Sequence, residues 1–172
     1  IDYTARDGLK IHGYLTTPND FTYPGPMVLL VHGGPFGPRD SWGFDREAQF
    51  LASHGYAVLQ VNFRGSGGYG KGFEKKGYRQ WGLTMQDDLT DATQWAIDNQ
   101  IADKNRVCIY GASYGGYASL MGVVKEPDLY QCAIGYVGVY DLTIMDEYGD
   151  IQRRREGMSF VKKQIGDDDT IL

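Results

Sequence analysis

An apolar run that ends in a glycine–serine–glycine turn constrains the fold of this 172-residue chain more than any other segment. Residues 107–110 read V-C-I-Y, a pattern typical of a strand buried on both faces. Residues 111–115 then match G-x-S-x-G, and the residues that follow can continue as a helix. A serine on such a turn is held in a strained backbone conformation with its hydroxyl projecting outward, and its neighbours must be small. We therefore predict that Ser113 is a nucleophile.

Strand-like and helical patterns alternate along the rest of the chain. Strands are predicted within residues 1–17 (as edge strands), at 27–31, at 56–63 and at 132–137, and helices at 44–54 and 84–100. This alternation indicates an α/β fold with a mostly parallel sheet and flanking helices.

The length of the chain indicates one domain, because it is close to the usual size of a single domain. From Thr143 onward the sequence becomes polar. Residues 143–172 are therefore expected to form a helical insertion or surface segment. Its runs of three arginines at 153–155 and three aspartates at 167–169 are expected to be solvated.

Composition and pattern argue against several kinds of partner. The formal net charge is −5 and no basic stripe is present, so we expect no nucleic acid partner. No apolar run approaches the ~18 residues that a membrane span needs, so we expect no membrane partner.

Residues 65–71 satisfy the first seven places of a P-loop. However, Gly72 stands where a magnesium-binding hydroxyl belongs, and no helix start is expected there. We expect no nucleotide, other cofactor or metal.

The two cysteines, Cys108 and Cys132, each lie within an apolar strand-like run. Cysteines in such surroundings are usually buried and behave as small apolar residues. Their spacing indicates neither a zinc site nor a disulfide framework. We expect two buried free thiols, an arrangement compatible with a reducing, cytoplasmic compartment.

Acyl transfer by a serine also needs a base and backbone amides that bind the oxyanion. The amide of Tyr114 follows the serine directly, at the start of the predicted helix. A second amide is expected from the loop after the strand at 27–31, which reads His32-Gly33-Gly34-Pro35. Glycine lets the backbone approach a substrate closely, and we assign this amide to Gly34. His32 precedes the serine and is expected to hold the loop.

Three segments together resemble one family of enzymes. They are His32-Gly33-Gly34-Pro35, residues 62–70 (NFRGSGGYG) and residues 111–117 (GASYGGY). In this order they resemble the catalytic domain of prolyl oligopeptidase-family serine peptidases, above all the acylaminoacyl-peptidase and dipeptidyl-peptidase branches. The resemblance implies an α/β-hydrolase fold and a peptidase that acts on short peptides through an acyl-enzyme on the serine. It also implies that the amides of Tyr114 and Gly34 bind the oxyanion.

The catalytic triad departs from the pattern of that family. In the family, the acid and the histidine follow the serine, on loops after two further strands. The three histidines here, His12, His32 and His54, all precede Ser113. The resemblance therefore implies that residues 1–172 are the N-terminal part of the catalytic domain, with the triad Asp and His encoded further on. We expect this fragment alone to be inactive.

The strand at 132–137 would then lie at an exposed, apolar sheet edge, through which self-association is expected. Tyr136, Val137 and Tyr140 lie at or beyond the end of that strand, where ligands bind in open α/β sheets. They are candidates for the walls of an apolar substrate pocket, with packing in the core as the alternative.

Two other functions fit the same residues. An esterase or lipase of the same fold would use the same serine turn. Phe36 after His-Gly-Gly-Pro favours the peptidases, because esterases of this kind more often carry a further glycine there. A non-catalytic interaction module would have kept the scaffold without a complete triad.

Overall fold

A six-stranded β-sheet organises the chain, with helices packed against both of its faces. The computed structural model describes residues 1–145, 157 and 161–166. In chain order the elements are β1 (Asp2–Thr4), β2 (Lys10–Thr16), β3 (Gly25–Val31), α1 (Arg46–Ser53), β4 (Ala57–Asn62), α2 (Lys71–Lys75), α3 (Thr84–Asp98), β5 (Ala102–Ala112), α4 (Tyr114–Lys125) and β6 (Cys132–Tyr136). Two short helical turns follow, at Leu142–Ile144 and Val161–Ile165.

The strands lie in the order β1-β2-β4-β3-β5-β6. β1 and β2 are antiparallel to their neighbours, whereas β4, β3, β5 and β6 run parallel to one another. Leu29 of β3 pairs with Leu59 of β4 on one side and with Ile109 of β5 on the other, so β3 is central. The predicted mostly parallel α/β sheet is confirmed. Of the two strands expected at an edge, only β1 lies there, because β2 is inserted between β1 and β4.

Consecutive residues of β3 face opposite sides of the sheet, as the two-residue period of a strand requires. Leu29 belongs to the larger core, which α3 and α4 cover. Leu30 belongs to a smaller core that includes Ala48 and Ala52 of α1. Because helices cover both faces here, β3 is a largely continuous apolar run, and β4 is buried along its whole length in spite of its polar Gln60 and Asn62.

Two elements begin where the sequence did not predict them. β5 starts at Ala102, before its apolar run, because Ala102 pairs with Gly25 of β3; the polar residues 103–106 form an irregularity, and regular pairing resumes at Val107. α2 begins directly after Gly70, where no helix start was expected. Gly70 has φ +89°, which favours glycine and turns the chain into this five-residue helix. The P-loop motif is still incomplete, since Gly72 carries no hydroxyl that could bind magnesium.

The cysteines contradict the expectation of two buried free thiols. Cys108 of β5 and Cys132 of β6 are paired in register, with their Cα atoms 4.7 Å apart, and they form a disulfide. β6 lies at the edge of the sheet of the described residues, as expected, and Cys132 is exposed there rather than buried. Local sequence could not reveal this bond, because α4 crosses between the two cysteines and only the strand register brings them together.

Part of the C-terminal segment lies outside the described residues. The arginines at 153–155 and the aspartates at 167–169 fall there, so their solvation stays a prediction. The helical insertion expected for residues 143–172 also stays a prediction. Within it, Val161 and Ile165 are buried against the larger core. In the part of the chain that the structure describes, no helix is long and apolar enough to cross a membrane.

The disulfide is expected to stabilise the edge of the sheet. A crosslink that closes a loop of this size removes conformational entropy from the unfolded chain, which is worth about 3 kcal/mol. We predict that Cys132→Ala lowers the free energy of unfolding by up to this amount in urea titrations. Reductant should destabilise the unmodified chain similarly and leave Cys132→Ala unaffected. Equal stability of the two proteins without reductant would show that the bond is absent.

Candidate active site

Ser113 lies at the sharp junction between β5 and α4. Its backbone has φ +57° and ψ −119°, a conformation that residues with a side chain rarely adopt, and the residue is exposed. The predicted strand–turn–helix arrangement and the strained serine are both confirmed. Strain of this kind persists only where the surrounding structure enforces it, and it concentrates at functional sites.

Two glycines allow this junction to close. A Cβ atom on Gly111 would lie 2.5 Å from the carbonyl oxygen of Val31, and a Cβ atom on Gly115 would overlap the same oxygen. The end of β5 and the first turn of α4 therefore pack directly on the backbone at the end of β3. This contact explains both glycines of the G-x-S-x-G pattern.

Backbone hydrogen bonds fix the serine and leave the next amide without a helical acceptor. The Ser113 amide donates to the carbonyl of Tyr136 at 3.0 Å. The Ser113 carbonyl accepts from the amides of Gly116 and Tyr117, at 3.0 and 3.2 Å. Tyr114 is the first residue of α4, and the first amides of a helix have no intrahelical acceptor. Its amide can therefore bind an anion beside the serine, in the favourable field of the helix N-terminus.

The loop that follows β3 lies against the serine. β3 and β5 are parallel neighbours, with Val31 paired to Gly111, so their ends meet at the same edge of the sheet. A Cβ atom on Gly33 would lie 3.4 Å from Cβ and 4.0 Å from Oγ of Ser113. Gly34, the next residue, has φ +125°, which favours glycine. The fold thus brings the Gly33–Gly34 peptide to the serine.

The His32 ring is partly buried, and both of its nitrogens are bonded within the scaffold. It stacks on Phe63 with the ring centroids 4.4 Å apart. Nδ1 lies 2.8 Å from the carbonyl oxygen of Gly33, and Nε2 lies 2.9 Å from Ser66 Oγ. Burial lowers the pKa of His32 to about 4, so the ring is neutral at neutral pH. His32 holds the loop, as predicted, and offers no nitrogen to Ser113.

The glycine-rich segment after β4 packs directly against the same loop. The Gly67 amide donates to the carbonyl of Pro38 at 3.1 Å, and a Cβ atom on Gly67 would overlap the carbonyl oxygen of Gly37. A Cβ atom on Gly65 would lie 3.1 Å from the ring of Phe36. Close packing against the loop after β3 therefore explains glycines that imitate a P-loop in the sequence.

Asn62, the last residue of β4, holds the far end of the loop. The Asp40 amide donates to Asn62 Oδ1 at 2.8 Å, and Asn62 Nδ2 donates to the Asp40 carbonyl at 3.0 Å. The Asp40 carboxylate accepts from Gln60 Nε2 at 3.1 Å. Burial, together with the nearby Asp45 carboxylate, raises the pKa of Asp40 to about 7. The loop is thus held by side chains at both ends, and one end carries a group that titrates near neutral pH.

A buried ion pair anchors the glycine-rich segment. The amide and Nε of Arg64 each donate to Asp88 Oδ2 at 2.9 Å, and Nη2 donates to Oδ1 at 2.7 Å. Nη1 donates to Asp7 at 2.7 Å, and this contact lowers the pKa of Asp7. The bidentate contact with Asp88 holds the segment against α3, and the contact with Asp7 holds it against the turn after β1.

The three predicted pocket residues lie at the end of β6, and none is packed in the core. Tyr136, Val137 and Tyr140 are 60, 66 and 52% exposed among the described residues, which argues against the core alternative. Tyr136, whose carbonyl binds the serine amide, also lines an apolar groove of about 700 Å³ with Phe50 of α1 and Tyr110 of β5. Val137 has φ +43°, an unusual conformation for a β-branched residue. Their contact with substrate stays a prediction.

No acid–base partner contacts the serine within the residues that the structure describes. His12 pairs with Asp2 on the N-terminal strands, and His54 binds the carbonyl of Phe50 at the end of α1. The structure brings together the serine, the Tyr114 amide and the Gly33–Gly34 peptide, and none of the described histidines is hydrogen-bonded to Ser113.

Sequence reasoning missed two residues that shape the site, Ser66 and Asn62. Ser66 is fully buried and lies between two glycines, in a segment where the P-loop pattern drew attention to the glycines alone. Asn62 is fully buried at the end of β4, whose other polar residue is Gln60. A polar residue that must be buried needs a partner, and this signal was available in both cases.

Comparison with known proteins indicates one family. The model of the prolyl oligopeptidase family matches residues 42–166 of this chain. Dipeptidyl aminopeptidase BIII of Pseudoxanthomonas mexicana is 44% identical over an alignment of 153 residues, and the match covers 84% of this chain and 22% of that protein.

Solved structures agree with this indication. A puromycin hydrolase matches with a TM-score of 0.86 and 28% identity, over 97% of this chain and 25% of its own. The acylaminoacyl peptidase of Pyrococcus horikoshii matches with a TM-score of 0.84 and 30% identity, over 98% of this chain and 26% of its own. The expected α/β-hydrolase fold is confirmed. The chain spans about a quarter of the length of the proteins that it matches.

The strain at Ser113 is expected to be measurable as stability. Glycine adopts a positive φ without a Cβ conflict, so Ser113→Gly should raise the free energy of unfolding by roughly 1 kcal/mol. Ser113→Ala keeps the Cβ atom and should leave the free energy of unfolding nearly unchanged. Urea unfolding of the three proteins tests this prediction, which fails if the glycine variant is no more stable than the alanine variant.

Proposed function

Because the chain belongs to the prolyl oligopeptidase family, we propose that it supplies the nucleophile and the oxyanion-binding amides of a serine peptidase that hydrolyses short peptides. One observation carries the proposal: Ser113 is exposed at a strained junction, between the start of α4 and the Gly33–Gly34 peptide. The peptidase names of the relatives support it.

In this proposal Ser113 Oγ attacks the carbonyl carbon of the scissile peptide bond. The carbonyl oxygen becomes an oxyanion, which accepts hydrogen bonds from the amides of Tyr114 and Gly34. Each such donor is typically worth about 2.7–4 kcal/mol in the transition state. The amine then leaves, an acyl-enzyme forms on the serine, and water hydrolyses it.

The proton of Ser113 needs a base, and the described histidines do not provide one. We propose that a histidine and an acid elsewhere in a longer polypeptide complete the triad. By analogy with subtilisin, loss of the base lowers kcat by on the order of 10⁶, while binding and oxyanion stabilisation retain ~10³–10⁴ over water. The 172-residue chain alone is therefore expected to be nearly inactive.

The substrate class follows from the kind of relatives that the chain matches. A dipeptidyl aminopeptidase and an acylaminoacyl peptidase are both named for removing short N-terminal units, and we propose a substrate of this class. Tyr136, Val137 and Tyr140, exposed at the end of β6, are proposed to line the side-chain pocket.

The assignment of Ser113 is tested in the intact polypeptide with a fluorophosphonate probe, which reacts with activated serines. We predict strong labelling of the wild-type protein and none of Ser113→Ala, together with a loss of at least ~10³-fold in the hydrolysis of dipeptidyl and acylaminoacyl anilides. Ser53→Ala is the control, because it removes an exposed serine hydroxyl at the end of α1 and should still be labelled.

Labelling and hydrolysis rates together distinguish the proposed peptidase from the esterase and from the interaction module. Faster hydrolysis of short-chain esters than of any anilide would favour the esterase alternative. Absence of labelling in an intact, folded wild-type protein would favour an interaction module and contradict the nucleophile assignment.

We also propose that the 172-residue chain associates with itself through β6. This strand ends the sheet of the described residues, and its Ile134 and Tyr136 side chains are 54 and 60% exposed. An unpaired strand edge beside apolar side chains is a template for pairing with another chain.

Sedimentation velocity at increasing protein concentration tests the proposed association. We predict that the unmodified chain forms dimers or larger species and that Ile134→Lys shifts it toward monomer, because a charge on an edge strand opposes pairing. Val124→Lys on α4, which replaces an apolar residue that is 74% exposed and lies away from the edge, is the control. A monomer at all concentrations would overturn the proposal.

A further inference from the structure

We propose that His32 and Ser66 are positioning residues that orient the Gly33–Gly34 peptide, so that the Gly34 N–H faces the developing oxyanion. The inference rests on the proposed function, since it concerns the same reaction. It adds a role that neither the serine motif nor the glycines of the loop can fill. A glycine-rich loop has many accessible conformations, and something must select the one that catalysis uses.

The hydrogen-bond partners of His32 determine its tautomer. The Gly33 carbonyl oxygen can only accept, so Nδ1, which lies 2.8 Å away, must carry the proton. In the neutral ring Nε2 is then an acceptor, and Ser66 Oγ, 2.9 Å away, must donate to it. The hydroxyl of Ser66 thus selects the tautomer that binds the Gly33 carbonyl.

The orientation of the Gly33 carbonyl determines where the Gly34 amide points. The two groups belong to one planar peptide unit, and in a trans peptide the C=O and N–H bonds point in opposite directions. Because His32 holds the carbonyl on the scaffold side, the Gly34 N–H must point away from the ring. Gly33 itself lies against Ser113, so this peptide unit borders the serine.

The ring is well placed to act as a fixed support. It stacks on the fully buried Phe63, and its hydrogen-bond partner Ser66 is fully buried as well. The low pKa of His32, about 4, keeps the ring neutral at neutral pH. A protonated ring would donate from Nε2 as well, and Ser66 would then have to reverse its hydrogen bond. The neutral ring avoids this change.

A positioning role and a merely structural role affect kinetics differently. Oxyanion donors act mainly in the transition state, so a misdirected Gly34 amide lowers kcat and leaves KM nearly unchanged. A structural role would reduce stability and the fraction of active enzyme but not kcat per active site. Titration of active sites with a fluorophosphonate separates the two effects.

Substitution of His32 by asparagine or by glutamine separates the contribution of Nδ1 from that of Nε2. In His32→Asn, the side-chain nitrogen can occupy the position of Nδ1 and donate to the Gly33 carbonyl. In His32→Gln, the longer side chain places its nitrogen at the position of Nε2, so the hydrogen bond to the Gly33 carbonyl is lost. In the intact polypeptide we expect kcat per active site to fall ~10–100-fold in His32→Gln and by less than about threefold in His32→Asn, with similar KM values.

Ser66→Ala provides a second measurement, independent of whether the His32 variants fold. It removes the donor that fixes the tautomer, and we expect a fall in kcat of roughly 3–10-fold at unchanged KM. His54→Gln, at the exposed end of α1, is the matched control and should behave like the wild type. Urea unfolding and near-ultraviolet circular dichroism confirm that each variant is folded.

The outcomes separate this inference from the proposed function. Full hydrolytic activity of Ser113→Ala would overturn both. If Ser113→Ala is inactive, equal kcat losses in His32→Asn and His32→Gln, or an unchanged kcat in Ser66→Ala, would overturn the positioning role alone. If both His32 variants are unfolded, the Ser66→Ala result decides.

Discussion

The carbonyl oxygen of Val31 is the contact on which the site depends. Gly111 and Gly115 approach this one atom so closely that neither tolerates a Cβ atom. Val31 ends β3, and the loop with Gly33 and Gly34 starts one residue later. The same oxygen therefore fixes the distance between the serine turn and the loop that faces it. A displacement at this point would separate the proposed nucleophile from one proposed oxyanion donor while leaving each intact, which is the kind of small misplacement that catalysis tolerates least.

The conformation of the loop after β3 is determined by contacts with residues 62–67 more than by the sequence of the loop itself. Its start is held by His32 and Ser66, its middle rests on Gly67, and its end is clamped by Asn62. Arg64, at the start of the supporting segment, is in turn fixed by a buried carboxylate. A network of this kind converts a conformationally permissive loop into a rigid one, because most of its buried polar groups are paired, although Asp40 Oδ2 has no hydrogen-bond partner among the described residues. The titratable Asp40 lies at its periphery.

Sequence reasoning succeeded where the determining interactions are local. The strand, the turn and the helix around Ser113 are contiguous, and their residue types carry the information. It failed where the sheet register decides. The bond between Cys108 and Cys132 depends on two strands that meet only after α4 has crossed. The loop contacts of Ser66 were missed for the same reason, since they join segments that are distant in sequence.

The strand order also has a consequence for the order of events during synthesis. β3 leaves the ribosome early, but its parallel partner β5 follows only after α1, β4, α2 and α3. Until then one edge of an apolar strand is unpaired, and the nascent chain exposes a surface that chaperones bind. The serine turn closes against Val31 only when β5 has been inserted, so the strained conformation of Ser113 is among the last features of this sheet to form. Until then the backbone at Ser113 is free to adopt an ordinary, unstrained conformation.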